Sequence, residues 1–346
     1  MTEGRAMKRI VIVGGGYAGT TLARELDGIA DVRLIEPRDR FVHNVAAIRA
    51  LADASWLDRV AMPYDRLLTR GTLIQERAVE IQDGMVRLSN GTLLEADVIV
   101  AATGSTYAQP FKPAAGRSVA EFLDASRSAH RDALGAETVT IAGAGPIGIE
   151  LAGEIAAAYP DKRVRLVSRG GTLLPTYPKK LGASLARQLE AMGVELALGE
   201  TVSGLDGFDS PRLDTSGREI LFPVIGARPA PPPIPGLSLS ASGRAVVDAH
   251  LRAEGHRSVF VVGDAAQTGD PMTIYYAYRQ AAWMRKTLKA IVAGRDLAGL
   301  RAYAPAVAPV LFAPLGPQAG AGVLPVTRAG WWAHACPQPS RGATSS

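Results

Sequence analysis

Cysteine is almost absent from this 346-residue chain, which contains a single one, Cys336. One cysteine can form no intrachain disulfide framework, no CxxC redox pair and no cysteine-rich metal site. Because residues 1–7 also carry no apolar signal segment, we expect a cytoplasmic rather than a secreted protein. Histidine is scarce too: the five, at positions 43, 130, 250, 256 and 334, lack metal-ligand spacing. We therefore expect neither a metal site nor a Ser–His–Asp triad.

Long hydrophobic runs are also lacking. No uninterrupted apolar run reaches the roughly 18 residues that a membrane span needs, and the apolar segment 303–326 is broken repeatedly by proline and glycine. The formal net charge of +5 suits an anionic ligand, but Lys and Arg form no run longer than a pair. We expect no nucleic-acid partner and at most a peripheral membrane contact.

What the chain does contain is a glycine-rich turn between a strand and a helix, in "KRIVIVGGGYAGTTLARELD" at residues 8–27. The turn fits the pattern G-x-G-x-x-G, in which the glycines allow a tight turn, the approach of a pyrophosphate and close packing of the helix. The predicted cofactor-binding residues of this loop are Gly14, Gly15, Gly16, Tyr17, Ala18 and Gly19. Glu36 ends the next predicted strand, where a carboxylate accepts hydrogen bonds from a ribose diol.

The same unit recurs in "ETVTIAGAGPIGIELAGEIA" at residues 137–156. Its predicted nucleotide-binding residues are Gly143, Gly145, Pro146, Ile147 and Gly148. Here the following strand ends in Ser168 and Arg169 rather than in an acid, so a 2′-phosphate is not repelled and the guanidinium can pair with it. This difference favours NADPH over NADH; the alternative is that Arg169 is simply solvated.

Two dinucleotide sites in one chain suggest an electron relay, in which one site holds FAD and the other admits NAD(P)H. Ala102, Thr103 and Gly104 end a predicted strand and are expected to close the FAD site. Gly263 and Asp264 end a late strand and are expected to meet the ribityl or pyrophosphate part of FAD.

We predict an α/β fold with two Rossmann-like domains, the NAD(P)H-binding domain being inserted in the FAD-binding domain. The predicted boundaries are 1–112 and 233–300 for the FAD-binding domain, 113–232 for the NAD(P)H-binding domain, and 301–346 for a short C-terminal segment. Its tail, 337–346, is predicted to be disordered. The sequence leaves the oligomeric state open and is compatible with a homodimer.

With these motifs assembled, the chain resembles the two-dinucleotide-binding-domain flavoproteins of the pyridine nucleotide-disulfide oxidoreductase superfamily. The segments "FVHNVAAIRA", "GIELAGEIAAAYPDKRVRLVSR" and "VFVVGDAA" are most similar to the ferroptosis-suppressor/AIF-like NAD(P)H:quinone reductases, which are related to type II NADH dehydrogenases. The resemblance implies that Arg49 binds FAD, for which neutralisation of the diphosphate is a physical reason, and that Glu150 binds the nicotinamide nucleotide. The alternatives are a surface arginine and an ordinary helical carboxylate.

The resemblance also implies that hydride passes from NAD(P)H to FAD and on to a quinone or another small aromatic acceptor. Tyr275 and Tyr276 are the candidates for lining the acceptor pocket, with core packing as the alternative. His43 and Asn44 either touch the flavin region or make a turn. The C-terminal "VTRAGWWAHACPQPSRGATSS" departs from the family, and Trp331 with Trp332 either anchors at an interface or packs internally.

Two other functions stay open at this point. One is a reductase of a protein electron carrier; the other is a non-enzymatic flavin redox sensor or nucleic-acid-binding effector, suggested by the isoelectric point of about 9.4. Branches of the superfamily that use a cysteine pair, including the disulfide and sulfide:quinone reductases, are excluded by the single cysteine.

Overall fold

The computed structural model describes residues 7–203, 205 and 210–324, so Trp331, Trp332, Cys336 and the tail 337–346 lie outside the described residues. In chain order the elements are β1 (Arg9–Val13), α1 (Tyr17–Leu26), β2 (Asp31–Ile35), β3 (Arg40–Val42), α2 (Asn44–Ala52), α3 (Leu57–Val60), β4 (Ala61–Pro63), β5 (Thr72–Ile74), β6 (Ala78–Gln82), β7 (Met85–Leu88), β8 (Leu93–Glu95), β9 (Val98–Ala101), β10 (Ser105–Thr106), α4 (Val119–Gly135), β11 (Thr138–Ala142), α5 (Pro146–Ala158), β12 (Arg163–Ser168), α6 (Lys179–Ala191), β13 (Glu195–Leu198), β14 (Arg212–Leu213), β15 (Glu219–Pro223), β16 (Arg228–Pro229), β17 (Val259–Val261), α7 (Ile274–Val292), β18 (Leu311–Leu315) and β19 (Ala319–Val323).

The chain divides into two units. Unit 1 takes the described residues through Val42, together with Ala61–Thr106 and Ala227–Val307. Unit 2 takes His43–Val60, Tyr107–Gly226 and the described residues from Ala308.

Unit 1 is built on a parallel sheet in the order β17-β9-β1-β2-β5. Side chains of β1 alternate between its faces, with Ile10 and Ile12 in one buried cluster and Val11 and Val13 in another. Helices α1 and α7 contribute to the first cluster, and the antiparallel β6-β7-β8 sheet contributes to the second. Because both faces are covered, the central strands are continuous apolar runs.

Unit 2 repeats this arrangement in the order β13-β12-β11-β15-β14, where β14 is an antiparallel edge strand. Its buried cluster also takes in Ile48 and Leu51 of α2 and Leu311 and Leu315 of β18. The structure therefore groups 43–60 and 308–324 with unit 2, whereas the predicted domain boundaries put 43–60 in the FAD-binding domain and 308–324 in a separate C-terminal segment. The apolar face of α2 packs against α4 and α5, which explains why residues 43–60 belong to unit 2.

None of the helices formed by the described residues is both long and apolar enough to cross a lipid bilayer.

We predict that Gly153→Ala destabilises unit 2. A Cβ at Gly153 in α5 would lie 2.5 Å from Cα and 2.8 Å from Cβ of Leu315 in β18, so the added methyl group must push the β18–β19 hairpin away. Overpacking of this kind costs about 1–3 kcal/mol, which thermal unfolding will show as a lower Tm. The control is Gly135→Ala at the end of α4, where no described atom outside the helix's own backbone lies within 4 Å of the Cβ position, so the methyl group should not lower Tm. An unchanged Tm for G153A would contradict the packing of this hairpin on α5.

Candidate functional site

The first glycine loop joins β1 to α1 at the carboxyl edge of the unit 1 sheet. Gly14 has a φ of +108°, and a Cβ there would lie 2.5 Å from the carbonyl oxygen of Ala102. A Cβ on Gly19 would lie 1.8 Å from the carbonyl oxygen of Gly14, so only glycine lets α1 come this close to the turn. Around Gly16, by contrast, no described atom lies within 4 Å of a Cβ position, which leaves room for a ligand to approach the backbone.

The second loop, between β11 and α5, has nearly the same geometry. Gly143 has a φ of +129°, and a Cβ there would lie 2.1 Å from the carbonyl oxygen of Val224. A Cβ on Gly148 would lie 1.9 Å from the carbonyl oxygen of Gly143, and the space around Gly145 is open among the described residues. Each of the three motif glycines thus does the same structural work in both units.

Both helices that follow these loops begin without a side-chain cap, at Gly16 for α1 and Gly145 for α5. The first N–H groups of a helix have no partner within the helix, and the helix dipole favours negative charge at that end. Pro146 in the first turn of α5 has no N–H to satisfy and preorganises the helix. Both loops therefore fit a pyrophosphate bound through backbone N–H groups.

Glu36 follows β2 and distinguishes the first loop from the second. Only 2% of its surface is exposed. Oε2 accepts hydrogen bonds from the Gly15 N–H at 2.7 Å and Arg38 Nη2 at 3.1 Å, and Oε1 from Arg38 N at 3.1 Å and Nε at 2.7 Å. Burial alone would raise the pKa of Glu36, but these hydrogen bonds and the Arg38 charge hold the pKa below its ordinary value. The carboxylate is therefore ionised and can accept ribose hydroxyls.

The residue after the first glycine also differs between the loops. A Cβ on Gly15 would lie 2.6 Å from the hydroxyl of Tyr64 and 2.8 Å from Cγ of Glu36. The Tyr64 hydroxyl donates to the carbonyl oxygen of Gly15 at 2.8 Å. In unit 2 the equivalent residue is Ala144, which is buried, and Ser168 stands where Glu36 does. Tyr64 and Arg38 are site residues that no local sequence pattern singled out.

In unit 2 the strand that follows the loop ends in a small polar residue and then a cation. The carbonyl oxygen of Ser168 accepts from the Gly199 N–H at 2.8 Å, and its hydroxyl accepts from the Gly170 N–H at 3.3 Å. Arg169 is exposed. This strand end presents one positive charge to solvent and no carboxylate of its own.

Ala102, Thr103, Gly104, Gly263 and Asp264, also predicted for FAD, lie at the same edge of the unit 1 sheet, because β9 lies between β1 and β17. Ala102 donates its N–H to the carbonyl oxygen of Val13 at 2.7 Å. The Thr103 hydroxyl donates to the carbonyl oxygen of Ala230 at 2.5 Å, and the Ala230 N–H donates to the carbonyl oxygen of Gly104 at 2.9 Å. The carboxylate of Asp264, which follows β17, accepts from the Ser105 hydroxyl at 2.5 Å.

The pyridine nucleotide-disulphide oxidoreductase family matches residues 8–281. The chain belongs to this family. The family assignment confirms the resemblance seen in the sequence, and the cofactors are FAD and a reduced pyridine nucleotide.

Individual relatives are more distant. This oxidoreductase is 26% identical over 343 residues to apoptosis-inducing factor homolog B of Dictyostelium discoideum, covering 90% of this chain and 88% of that protein. It is 28% identical over 292 residues to ferroptosis suppressor protein 1 of Homo sapiens, covering 78% of this chain and 76% of that protein.

Solved structures confirm the predicted fold class. Reduced Bacillus anthracis CoADR-RHD matches with a TM-score of 0.70 at 16% identity over 93% of this chain, although the match spans only 62% of that longer chain. The reductase of the covalent putidaredoxin reductase–putidaredoxin complex matches with a TM-score of 0.66 at 19% identity, over 94% of this chain and 82% of that one. At these identities the matches show the fold alone.

The two tyrosines at the start of α7 of this oxidoreductase have different surroundings. Tyr276 is 1% exposed and packs in the interior, whereas Tyr275 is 39% exposed. The two rings meet edge to face, with centroids 5.0 Å apart. The ring of Tyr275 is thus accessible from solvent. The burial of Tyr276 favours the core-packing alternative for that residue.

Arg49 lies on α2 in unit 2. Its Nε and Nη2 donate to Oε1 of Glu154 at 3.0 and 2.8 Å, and its guanidinium stacks 4.9 Å from the centre of the Trp56 ring. The contribution of Arg49 to FAD binding stays a prediction. At the start of α2, Oδ1 of Asn44 is buried and has no hydrogen-bond partner among the described residues.

Glu150 lies one turn before Glu154 on α5 and is 9% exposed. Burial, and secondarily the charge of Glu154, raises the pKa of Glu150 to about 8. This carboxyl group therefore holds a proton at neutral pH. Across the described part of the chain, no three His, Cys, Asp or Glu side chains come together in a way that could hold a metal ion.

We predict that Glu150 makes the stability of the protein fall as pH rises. Between the ordinary pKa of 4.5 and the folded value of about 8, the folded chain binds a proton that the unfolded chain has released. The contribution of this group to the free energy of unfolding is therefore complete below pH 4.5, declines through that window and levels off above pH 8.

Thermal unfolding of wild type and E150Q from pH 5 to pH 8.5 checks this. We expect E150Q to gain stability relative to wild type by up to a few kcal/mol as pH increases. Replacement of the exposed Glu190 by glutamine is the control and should leave the profile unchanged. Parallel curves for wild type and E150Q would contradict a proton held at Glu150.

Proposed function

We propose that this oxidoreductase uses NAD(P)H to reduce FAD and passes the electrons to a quinone or another small aromatic acceptor. The observation that carries the proposal is the contrast between two glycine loops of matched geometry, one beside the ionised Glu36 and the other beside Ser168 and Arg169. A carboxylate suits the free ribose diol of FAD, and a cation suits a phosphorylated ribose. When bound, FAD supplies a ring system that accepts a hydride and returns electrons to an acceptor.

Unit 1 is the proposed FAD site. The open backbone at Gly16 and the uncapped start of α1 receive the pyrophosphate, and Glu36 receives the adenosine ribose. Arg38 donates two guanidinium hydrogen bonds to this carboxylate and keeps Glu36 ionised and in place. Asp264, steadied by Ser105, accepts a hydrogen bond from the ribityl chain.

Unit 2 is the proposed NAD(P)H site. The uncapped start of α5 and the open backbone at Gly145 receive the pyrophosphate, and Arg169 pairs with the 2′-phosphate of NADPH. Glu150 holds a proton at neutral pH, which makes it a hydrogen-bond donor for the carbonyl oxygen of the nicotinamide amide.

The acceptor class rests on three supports. The similarity to quinone reductases of the ferroptosis-suppressor group points to a quinone. The single cysteine offers no dithiol through which electrons could pass to a disulfide substrate. Tyr275 offers an accessible aromatic ring at the start of α7, where a planar acceptor can stack.

A flavin spectrum of the purified protein tests the proposal. We expect anaerobic NADPH to bleach the flavin absorbance and a benzoquinone or naphthoquinone to restore it within the turnover time. Ferredoxin-type proteins form the second arm, and a panel of DNA duplexes at varied salt forms the third. Reoxidation by a protein carrier with no response to any quinone would contradict the acceptor class; a flavin that NAD(P)H does not bleach would contradict the relay.

The nucleotide preference has its own test in Arg169→Ala. Loss of a charge-assisted contact to the 2′-phosphate should lower kcat/KM for NADPH by about 10- to 100-fold and leave kcat/KM for NADH nearly unchanged. Arg163→Ala is the matched control, because Arg163 is an exposed arginine at the opposite end of β12 and pairs with Glu195. Wild type that prefers NADH, with no effect of R169A, would contradict the assignment.

A further inference from the structure

Gln280 on α7 is a buried side chain that reaches the turn after β17. It is 3% exposed, and its Oε1 accepts the N–H of Gly263 at 2.7 Å. Gly263 has a φ of +77°, so the turn has a backbone geometry that few other residues adopt. Because the Gly263 N–H donates to Gln280, it is not available as a hydrogen-bond donor to a ligand. The residue that follows in this turn is Asp264.

The orientation of the Gln280 amide is set by its other contacts. Nε2 donates to Oδ2 of Asp270 at 3.3 Å and to the hydroxyl of Thr268 at 3.2 Å. An N–H can be satisfied only by an acceptor, and a carboxylate only by a donor. If the amide flipped, nitrogen would face the Gly263 N–H and oxygen would face the Asp270 carboxylate. One orientation of this side chain is therefore compatible with its surroundings.

Asp270 is itself held firmly. It is 3% exposed, and its carboxylate accepts the hydroxyl of Tyr303 and, at 2.9 Å, the N–H of Ala306. Arg279 lies 3.8 Å from Oδ2 and supplies the compensating positive charge. Arg279 also donates to the Tyr303 hydroxyl at 2.5 Å. A buried charge with this many partners fixes its position, and hence that of the Gln280 amide.

We propose that Gln280 is a positioning residue for FAD binding, acting through the Gly263–Asp264 turn, with Asp270 as the group that orients its amide. Asp264 is then supported from two sides: Ser105 donates to its carboxylate, and Gln280 fixes the backbone immediately before it. This inference rests on the proposed role of Asp264 in FAD binding. A site whose supporting groups are locked binds its ligand without paying to order them, so loosening the turn should weaken FAD.

The experiment measures the Kd of FAD for the apoprotein by flavin fluorescence, together with the Tm of the apoprotein. Q280L removes all three hydrogen bonds of the amide. Q280E keeps an acceptor for the Gly263 N–H but sets a second carboxylate against Asp270. The double variant Q280E/D270N exchanges the donor and acceptor and keeps the net charge beside Arg279. T287V is the control, because it removes a buried hydroxyl from the same helix two turns after Gln280.

We expect Q280L and Q280E to raise the Kd of FAD by about tenfold, T287V to change it less than threefold, and Q280E/D270N to recover most of the loss of Q280E. If Q280L does not fold, Q280E and the double variant decide the matter. The proposal is overturned if the Gln280 variants bind FAD as wild type does, or if T287V weakens binding as much as they do, since the substitutions would then act through the stability of the helix alone. D264N separates the two levels: wild-type affinity for D264N contradicts the proposed FAD site, whereas weak binding by D264N with normal binding by Q280E contradicts only the role of Gln280.

Discussion

The close approach of a helix to the turn that precedes it is the constraint on which both candidate cofactor sites depend. In each unit the third motif glycine sits so near the carbonyl oxygen of the first that a Cβ would lie within 2 Å of it, at 1.8 Å for Gly19 and 1.9 Å for Gly148. This contact brings the uncapped N–H groups of α1 and α5 to the carboxyl edge of their sheets. A helix start placed there is an anion site before any side chain takes part. The loops alone therefore make two equivalent sites.

A single acidic residue then makes the sites different, and its effect reaches back into the loop. Glu36 needs both a compensating cation and a backbone donor to stay ionised at 2% exposure. Arg38 supplies the first and the Gly15 N–H supplies the second. The methylene groups of Glu36 and the hydroxyl of Tyr64 fill the space in which a Cβ on Gly15 would lie, so this residue must be glycine. In unit 2 the same place holds the methyl group of Ala144, and Ser168 stands where Glu36 does in unit 1.

Much of the fold could be predicted because local signals determine it. The glycine-rich unit at residues 137–156 predicts a strand, a tight turn and a helix, and the structure has β11, the loop and α5 there. An Asn-Gly pair is typical of a hairpin turn, and Asn90 and Gly91 lie between β7 and β8, with Gly91 at a φ of +86°. Helix α2 was not predicted as an element of unit 2. Its apolar face is short, and the helices that bury it, α4 and α5, come much later in the chain. Tyr64 and Gln280 could not be predicted for the same reason, because their partners Gly15 and Gly263 lie 49 and 17 residues away along the chain. Arg38 lies two residues from Glu36, but no local sequence pattern marks this pair.

The two glutamates of α5 show how such tertiary contacts decide chemistry that spacing cannot. Glu150 and Glu154 lie one turn apart on the same helix, and both are nearly buried. Arg49, more than 100 residues earlier in the chain, forms its ion pair with Glu154 and stacks on Trp56. Nothing in the local sequence favours one glutamate over the other as its partner. Arg49 pairs with Glu154 and leaves Glu150 without a cation. Burial, together with the nearby negative charge of Glu154, then raises the pKa of Glu150 to about 8. An ion pair formed by α2 thus leaves unit 2 with a proton-bearing carboxyl group beside its nucleotide loop.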